Sequence, residues 1–391
     1  MPSLLSVEHE ADFASRGFTR RNFGRIATVL TAGASLPFYS EHALAQLSMV
    51  KNMPADAVKI NANENPMGPC PEAVDAIYNV VKNGGRYMYE QTYELAEAIA
   101  RIEGLKSGYR PDESYLEIFA GSSAPLHQSV LAFCSKDRPF VKADPGYEAG
   151  ERAAKFIGAK VVNVPLRKGT WDHDVKGMLA AAPNAGLYYV CNPNNPTGTL
   201  TSRSDIEYLV ANKPEGSVVL IDEAYIHISK SAVPCSDMVA AGKDVVVLRT
   251  FSKIYGMAGL RAGAAFARPD LLQKLTSYSA GAMPVTAMAG ATASVKSKTL
   301  IPQRRQVIGD IREDTFNWLT GKNVEFIPSE SNCFMINVKR PGAEFYKEMA
   351  AQKVYIGRVW PVWPEWVRVT VGSKDDMAKF KTAFERSYNK A

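Results

Sequence analysis

Asp244-Val245-Val246-Val247-Leu248-Arg249 leads directly into Thr250-Phe251-Ser252-Lys253, and this stretch decides the fold. A continuous β-branched run is typical of a strand that is buried on both faces of a parallel sheet covered by helices. Lys253 is therefore predicted in the loop beyond the carboxyl end of that strand. Open α/β sheets bind ligands at this edge, so the lysine is placed to anchor an aldehyde covalently. Ser252 and Arg261 can add hydroxyl and guanidinium contacts to a phosphate.

A second strand of buried type ends in a rigid polar turn. Gly186-Leu187-Tyr188-Tyr189-Val190-Cys191 is followed by Asn192-Pro193-Asn194-Asn195-Pro196-Thr197-Gly198. The prolines fix φ, and Asn and Gly tolerate left-handed geometry. An ordinary strand-exit turn needs far fewer constrained residues. The stiffness of this turn favours a side-chain amide held against a ring.

A third apolar strand, Ser217-Val218-Val219-Leu220-Ile221, runs into Asp222-Glu223-Ala224-Tyr225. An acid at this position can be a helix cap or a metal ligand. The chain has five histidines and no His-x-x-x-His spacing, so no metal site is predicted. A carboxylate deep in a site can instead keep a pyridine nitrogen protonated, which turns the ring into an electron sink.

With these three motifs in order, residues 58–385 resemble the pyridoxal-phosphate aminotransferases of fold type I, class I/II, and most closely the histidinol-phosphate aminotransferase-like group. The resemblance implies an α/β fold, with a mostly parallel sheet covered by helices in a large domain and a smaller α+β domain. It implies pyridoxal 5'-phosphate as cofactor. It also implies transfer of an amino group from an L-amino acid, aromatic or histidinol-phosphate-like, to a 2-oxo acid.

The resemblance assigns the cofactor contacts residue by residue. Lys253 would form the Schiff base and later move the proton between Cα and C4′, and Asp222 would pair with the pyridinium nitrogen. Asn195 and Tyr225 would bind the ring hydroxyl. Tyr147, which follows Asp144-Pro145-Gly146 and would otherwise pack on the core, resembles the aromatic residue that stacks on the ring.

The predicted phosphate site lies where Leu116–Ala120 meets an apolar helical stretch, Pro125–Phe133. Small residues at a helix start expose backbone N–H groups to an anion, although they also cap ordinary helices. By the resemblance, the phosphate contacts come from Gly121, Ser122, Ser123, Ser252 and Arg261, with Tyr87 reaching in from a partner subunit. The chain is therefore expected to be a homodimer with shared sites.

The substrate contacts are expected from the two ends of the matching region. Asn63 resembles a residue that lines the substrate mouth. Arg368 lies between aliphatic residues and resembles the arginine that binds the substrate α-carboxylate, or the phosphate in histidinol-phosphate enzymes. Arg358 resembles the second anion-binding arginine of that group. Between them, Val359–Trp366 contains three tryptophans, which either cover the small domain or narrow the pocket for an aromatic or long apolar side chain.

Residues 1–45 resemble a twin-arginine signal peptide. Thr19-Arg20-Arg21-Asn22-Phe23 precedes an apolar run, Ile26–Tyr39, and a small-residue cleavage site, Ala43-Leu44-Ala45. The alternative is a basic amphipathic helix that stays on the protein. The run is short for a permanent membrane anchor. The predicted location is the bacterial periplasm, and we expect an N-terminal arm over 46–70, a large cofactor-binding domain over 71–290 and a small domain over 291–391.

The chain has 391 residues and a formal net charge of +6, with acidic and basic residues mixed along its length. No basic block indicates nucleic-acid or membrane-surface binding. The expected partners are a small amino acid, a 2-oxo acid and a second copy of the chain. No disulfide is predicted, because the five cysteines show no paired spacing, at Cys70, Cys134, Cys191, Cys235 and Cys333.

Two other functions stay open at this stage. A lyase, a racemase or an oxygen-dependent amino-acid oxidase of the same fold would use the same cofactor residues. A catalytically silent binding or regulatory protein is an alternative of another class, since a fold alone does not determine function. Retention of Lys253 argues against that alternative, as does the lack of room for a DNA-binding domain before residue 58.

Overall fold

The computed structural model describes residues 53–110, 112–279 and 282–388. The predicted signal peptide, residues 1–45, lies outside the described residues, as does the beginning of the predicted arm. The described residues belong to one compact unit, Ser48–Ala391. No helix within the described ranges is long and apolar enough to cross a membrane.

The strands follow the β-branched and apolar runs of the sequence, because such residues pack well on a pleated, buried surface. In chain order they are β1 (Val58–Ile60), β2 (Leu116–Phe119), β3 (Phe140–Asp144), β4 (Val161–Pro165), β5 (Leu187–Cys191), β6 (Val218–Asp222), β7 (Val245–Thr250), β8 (Gly263–Phe266), β9 (Phe326–Ile327), β10 (Cys333–Asn337), β11 (Val354–Ile356) and β12 (Trp366–Thr370).

Seven of these strands form the central sheet, in the order β2-β8-β7-β6-β5-β3-β4. Pairing is parallel from β4 through β3, β5 and β6 to β7, whereas β8 is antiparallel to both of its neighbours. Every residue of β5, β6 and β7 is buried, as expected for strands covered on both faces. The predicted mostly parallel α/β sheet is therefore confirmed.

Helices alternate with the strands of this sheet and continue through the C-terminal part. They are α1 (Pro71–Val81), α2 (Tyr89–Glu103), α3 (Ser123–Phe133), α4 (Ala149–Phe156), α5 (Val175–Ala181), α6 (Arg203–Asn212), α7 (Ser236–Ala240), α8 (Pro269–Thr276), α9 (Val285–Lys296), α10 (Leu300–Gly321), α11 (Gly342–Ala351) and α12 (Lys374–Tyr388). Among the described helices α10 is the longest, with 22 residues.

Two smaller sheets complete the fold. β9, β10 and β12 form an antiparallel sheet, and β1 pairs in parallel with β11. Arg368 lies on β12, opposite Met335 of β10. The N-terminal strand is thus joined to the C-terminal part of the chain.

The sheet register brings polar residues together at one edge. Cys191, the last residue of β5, pairs with Asp222, the last residue of β6. Thr250 is the last residue of β7, because its backbone continues the antiparallel ladder to Gly263. Since the carboxyl ends of parallel strands meet at this edge, the three turns that follow β5, β6 and β7 are neighbours.

Candidate functional site

A lysine and a buried carboxylate meet beyond the carboxyl ends of β6 and β7. The Lys253 Nζ lies 5.7 Å from the centroid of the Tyr225 ring. Burial raises the pKa of the Asp222 carboxyl, and the charge of Lys253 opposes that rise. Lys253 itself is only half-buried. The Lys253 amine is therefore partly accessible to solvent, whereas the Asp222 carboxylate is buried.

Asp222 is 3% exposed and has two hydrogen-bond donors. The Tyr189 hydroxyl donates to Oδ2 over 2.8 Å, and the Ala224 N–H donates to Oδ1 over 3.1 Å. Burial raises the pKa of Asp222, and the two donors and Lys253 oppose that rise because they stabilise the charged form. The carboxylate is thus held in one orientation inside the protein.

Residues of three segments form an anion-binding corner around Arg261. Gly121 has a φ of +90°, and a Cβ atom there would collide with the Arg261 guanidinium. Arg261 Nη1 donates to Ser252 Oγ over 3.3 Å and to the Ala258 carbonyl over 2.7 Å. Helix α3 begins at Ser123, and the Ser122 side chain does not cap it. A guanidinium, a hydroxyl and the first amides of a helix are together suited to a phosphate.

Arg368 is buried, 5% exposed, and its guanidinium donates hydrogen bonds to two uncharged oxygens. Nη1 donates to Asn195 Oδ1 over 2.9 Å and Nη2 to the Asn61 carbonyl over 2.6 Å. Nε has no hydrogen-bond partner among the described residues. Burial lowers the pKa of Arg368, which is the expected effect of desolvating a cation.

Asn63 ties the N-terminal segment to the same site. It has a left-handed φ of 53°, and its Nδ2 donates to the Tyr225 hydroxyl over 3.0 Å. Its side chain also accepts a hydrogen bond of 3.0 Å from Thr370 Oγ1 on β12. Burial raises the pKa of Tyr225 well above its usual value. Asn63 therefore orients the phenol of Tyr225, and the Lys253 amine lies near the same ring.

Arg358 is paired with an acid. Its guanidinium bonds to Glu148 and lies over the Trp360 ring, 4.2 Å from the centroid. Trp360 Nε1 in turn donates to the Gly146 carbonyl over 3.1 Å. Tyr147, half-buried, stands in the same turn, between Gly146 and Glu148. Segment 358–360 is thereby attached to the turn that follows β3.

The structure brings together most of the residues singled out in the sequence, and Tyr87 is the exception. Its side chain is 69% exposed and stacks on Tyr89, with ring centroids 5.4 Å apart. The contact with Tyr89 does not join Tyr87 to the residues around Lys253. Its predicted role depends on a second subunit.

Two residues of the site were missed in the sequence. Tyr189 has a weak signal, because a phenol on a strand buried on both faces needs a hydrogen-bond partner. Its neighbour Tyr188 carries the same signal and bonds instead to the Ala182 carbonyl. Glu148 has no such signal, since an acid after a Pro-Gly-Tyr turn is ordinarily at the surface.

Comparison with known proteins gives one consistent result. The family profile described as aminotransferase class I and II matches residues 55–384. A histidinol-phosphate aminotransferase of Moorella thermoacetica is 31% identical over 326 residues, which cover 82% of this chain and 82% of that protein. An aromatic amino acid aminotransferase of Cutibacterium acnes is also 31% identical, over 81% of this chain and 88% of that protein.

A solved structure has the same fold. The histidinol-phosphate aminotransferase of Sinorhizobium meliloti, in complex with pyridoxal-5'-phosphate, matches with a TM-score of 0.76 at 23% identity, covering 90% of this chain and 95% of that one.

Proposed function

Because this chain belongs to the class I and II aminotransferase family and is a pyridoxal-phosphate-dependent enzyme of that type, we propose that it moves an amino group from an L-amino acid to a 2-oxo acid at the site around Lys253. The observation that carries the proposal is the buried Arg368 beside this site. A guanidinium withdrawn from water is costly unless an anion joins it. Among the described residues no acid forms an ion pair with Arg368, so the substrate anion is the group that fits.

The residues present fit the cofactor. Arg261, Ser252 and the amides after Gly121 would hold its phosphate, and Asp222 would face its ring nitrogen. When bound, pyridoxal phosphate supplies an aldehyde for the Lys253 amine and a protonated ring that withdraws electrons. The remaining ring contacts would come from residues already at the site, namely Tyr147 on the ring face and Asn195 and Tyr225 at the ring oxygen.

Lys253 has a second task after the substrate has joined. With cofactor and substrate bound, its amine would act as the base that moves a proton at the substrate Cα. Arg368 holds the substrate anion and Asn195 holds Arg368, so Cα is oriented toward that amine. Asn63 and Thr370 support the same corner through Tyr225 and β12.

Replacing Arg368 by lysine is expected to raise the KM for the amino acid about 100-fold, because a point charge cannot replace a bidentate, buried guanidinium. KM is measured by steady-state turnover of the mature holoenzyme with a 2-oxo acid as acceptor. A separate titration with L-amino acids in the absence of any 2-oxo acid follows cofactor absorbance and oxygen uptake. The exposed Arg386 provides the matched control, Arg386→Lys, which should behave as the unaltered enzyme.

Transamination predicts one stoichiometric conversion of the cofactor to its amino form and no oxygen consumption. Repeated turnover without an acceptor would instead identify a lyase, racemase or oxidase. An unchanged KM in Arg368→Lys would remove Arg368 from the substrate site.

Tyr189→Phe is expected to weaken cofactor binding about tenfold and to move the acid limb of activity to higher pH. The substitution removes the donor to Asp222 Oδ2, and a hydrogen bond to a charged group is stronger than a neutral one. With that donor lost, burial raises the pKa of Asp222 further, so the carboxylate is protonated at higher pH. The checks are the dissociation constant for pyridoxal phosphate added to apoenzyme and a pH profile of kcat. The matched Tyr188→Phe, on the same strand, should change neither.

Export through the twin-arginine route remains our proposal for residues 1–45, supported by the order of paired arginines, apolar run and Ala-x-Ala site. Mass spectrometry of protein isolated from the periplasm should give a chain beginning at Gln46. A full-length chain retained in the cytoplasm, unaffected by replacement of Arg20 and Arg21 with lysine, would contradict the proposal.

We propose a homodimer with shared sites from the exposed side chains of α1, α2 and the turn between them. Large apolar and aromatic groups stand in water there: Tyr78 is 82%, Tyr87 69% and Ile102 64% exposed. Such a concentration is typical of a surface covered by a partner. Light scattering of the mature protein at micromolar concentration should give twice the chain mass, and a monomer with full activity would refute shared sites.

A further inference from the structure

Two arginines in different states of charge compensation lie against the Trp360 ring. Arg368 has no acid partner among the described residues, whereas Arg358 is bonded to Glu148. The side chains of Arg358 and Glu148 are 17% and 19% exposed, so the pair is largely out of water. One guanidinium is therefore open to an anion, and the other has its charge already balanced.

Both guanidinium groups lie against the same indole. The Arg358 carbon is 4.2 Å from the centroid of Trp360 and the Arg368 carbon 5.5 Å. Glu148 directly follows Tyr147, the residue proposed to stack on the cofactor ring. The Glu148–Arg358 pair therefore lies beside Arg368 on the Trp360 indole, next to the residue proposed to stack on the cofactor ring, within reach of a substrate whose first anion is bound by Arg368.

We propose that the Glu148–Arg358 pair makes this pocket select amino acids with an uncharged side chain and reject those with a distal anion, whether a phosphate or a second carboxylate. The inference rests on the proposed function, since it takes Arg368 as the site of the substrate's first anion. It names the substrate class, and it assigns Glu148 as a specificity-determining residue.

Charge accounts for the selection. A distal anion that reaches Arg358 must displace Glu148, which leaves a carboxylate with little water and no cation, or must remain close to that carboxylate and be repelled. An uncharged side chain meets no such obstacle. It also meets apolar surface, because Trp171, Trp363 and Trp366 pack against the cluster that contains Trp360.

The neighbouring tryptophans keep the pair in place. Trp171 contacts Trp363 edge to face, with ring centroids 5.2 Å apart, and Trp363 contacts Trp366 at 5.7 Å. Trp360 is anchored by its bond to the Gly146 carbonyl. Rotation of Arg358 toward a substrate would therefore cost its stacking on Trp360 as well as its ion pair.

The test compares pairs of ligands in which one member has a distal carboxylate and the other has an uncharged group in its place. Holoenzyme is titrated with L-glutamine and L-glutamate, following conversion of the cofactor, and with butyrate and succinate, which bind without reacting. The unaltered enzyme should favour glutamine over glutamate and should bind succinate no more tightly than butyrate. Glu148→Gln, which frees Arg358, should shift both ratios toward the doubly charged ligand by about tenfold or more.

Two further variants isolate the pair. Glu148→Gln combined with Arg358→Gln should lose the gain, because the freed guanidinium is gone. Glu344→Gln removes one exposed acid elsewhere and should match the unaltered enzyme. Thermal unfolding of each variant verifies that it is folded.

An unaltered enzyme that already prefers glutamate and succinate would overturn the inference, and so would unchanged ratios in Glu148→Gln. Failure of the proposed function has a different signature. No L-amino acid would then convert the cofactor, while the binding ratio of succinate to butyrate would still report on the pair and support or overturn the inference by itself.

Discussion

Replacing Lys253 by alanine is expected to reduce amino-group transfer by more than about 10⁴-fold, the largest effect of any single change in this chain. Its amine is the one that lies beside both Tyr225 and Asp222 at the end of β7. The substitution removes the covalent attachment of the cofactor and also the base that moves the proton at Cα.

The measurement combines single-turnover kinetics with the visible absorbance of the bound cofactor. Lys253→Ala should lose the absorbance band of covalently attached cofactor and retain the cofactor only through its phosphate contacts. Lys243, exposed before the start of β7, supplies the control Lys243→Ala, which should keep both. Amino-group transfer within tenfold of the unaltered enzyme in Lys253→Ala would remove Lys253 from the chemistry.

Asp222→Asn is expected to lower kcat about 10³-fold while leaving the fold intact. The amide has the shape of the carboxylate but no charge, so it cannot keep the ring nitrogen protonated, and electrostatic groups of this kind typically contribute two to three orders of magnitude. The NH2 group of the amide is itself a hydrogen-bond donor. It would therefore face another donor, either the Tyr189 hydroxyl or the Ala224 N–H. Both the electron withdrawal and the orientation of the ring are affected.

Stability should change in the opposite sense, which separates lost chemistry from lost folding. Burial raises the pKa of Asp222 in the folded chain, so the ionised carboxyl destabilises the fold as pH rises through the window between its unfolded and folded pKa. The neutral amide of Asp222→Asn removes this loss of folding stability at high pH. Apo Asp222→Asn should therefore melt no lower than the unaltered apoenzyme at neutral pH, with Asp112→Asn, a substitution at an exposed acid, as the control. A substantially lower melting temperature would mean that Asp222 acts chiefly in folding.

The sheet and the polar residues at its edge were predictable because their signals are local. Each of β5, β6 and β7 is a run of apolar residues that ends in a polar turn, and parallel strands bring such ends together. Lys253 and Asp222 were therefore expected to meet before any tertiary contact was known. The pairing of Thr250 with Gly263 was not predictable, because the sequence pattern does not reveal β8.

Contacts between distant segments were not predictable in this way. Glu148 and Arg358 are separated by 210 positions, and their pairing depends on how segment 358–360 packs on the turn after β3. Strand periodicity shows that Tyr188 and Tyr189 point to opposite faces, but it does not show which of them faces Asp222. The identity of the partner arises from packing, which residue spacing alone does not encode.

The pairing of β1 with β11 has a consequence for synthesis of the chain. Val58 pairs with Val354, about 300 residues further along, so the ladder cannot form until the ribosome has made almost the whole protein. At translation rates of roughly 5–20 residues per second, the first strand waits some tens of seconds for its partner. Throughout that interval the residues of β1 lack their partner strand and are accessible to chaperones. Completion of the polypeptide, rather than emergence of its first half, thus determines when Asn63 can reach Tyr225 and the active site can close.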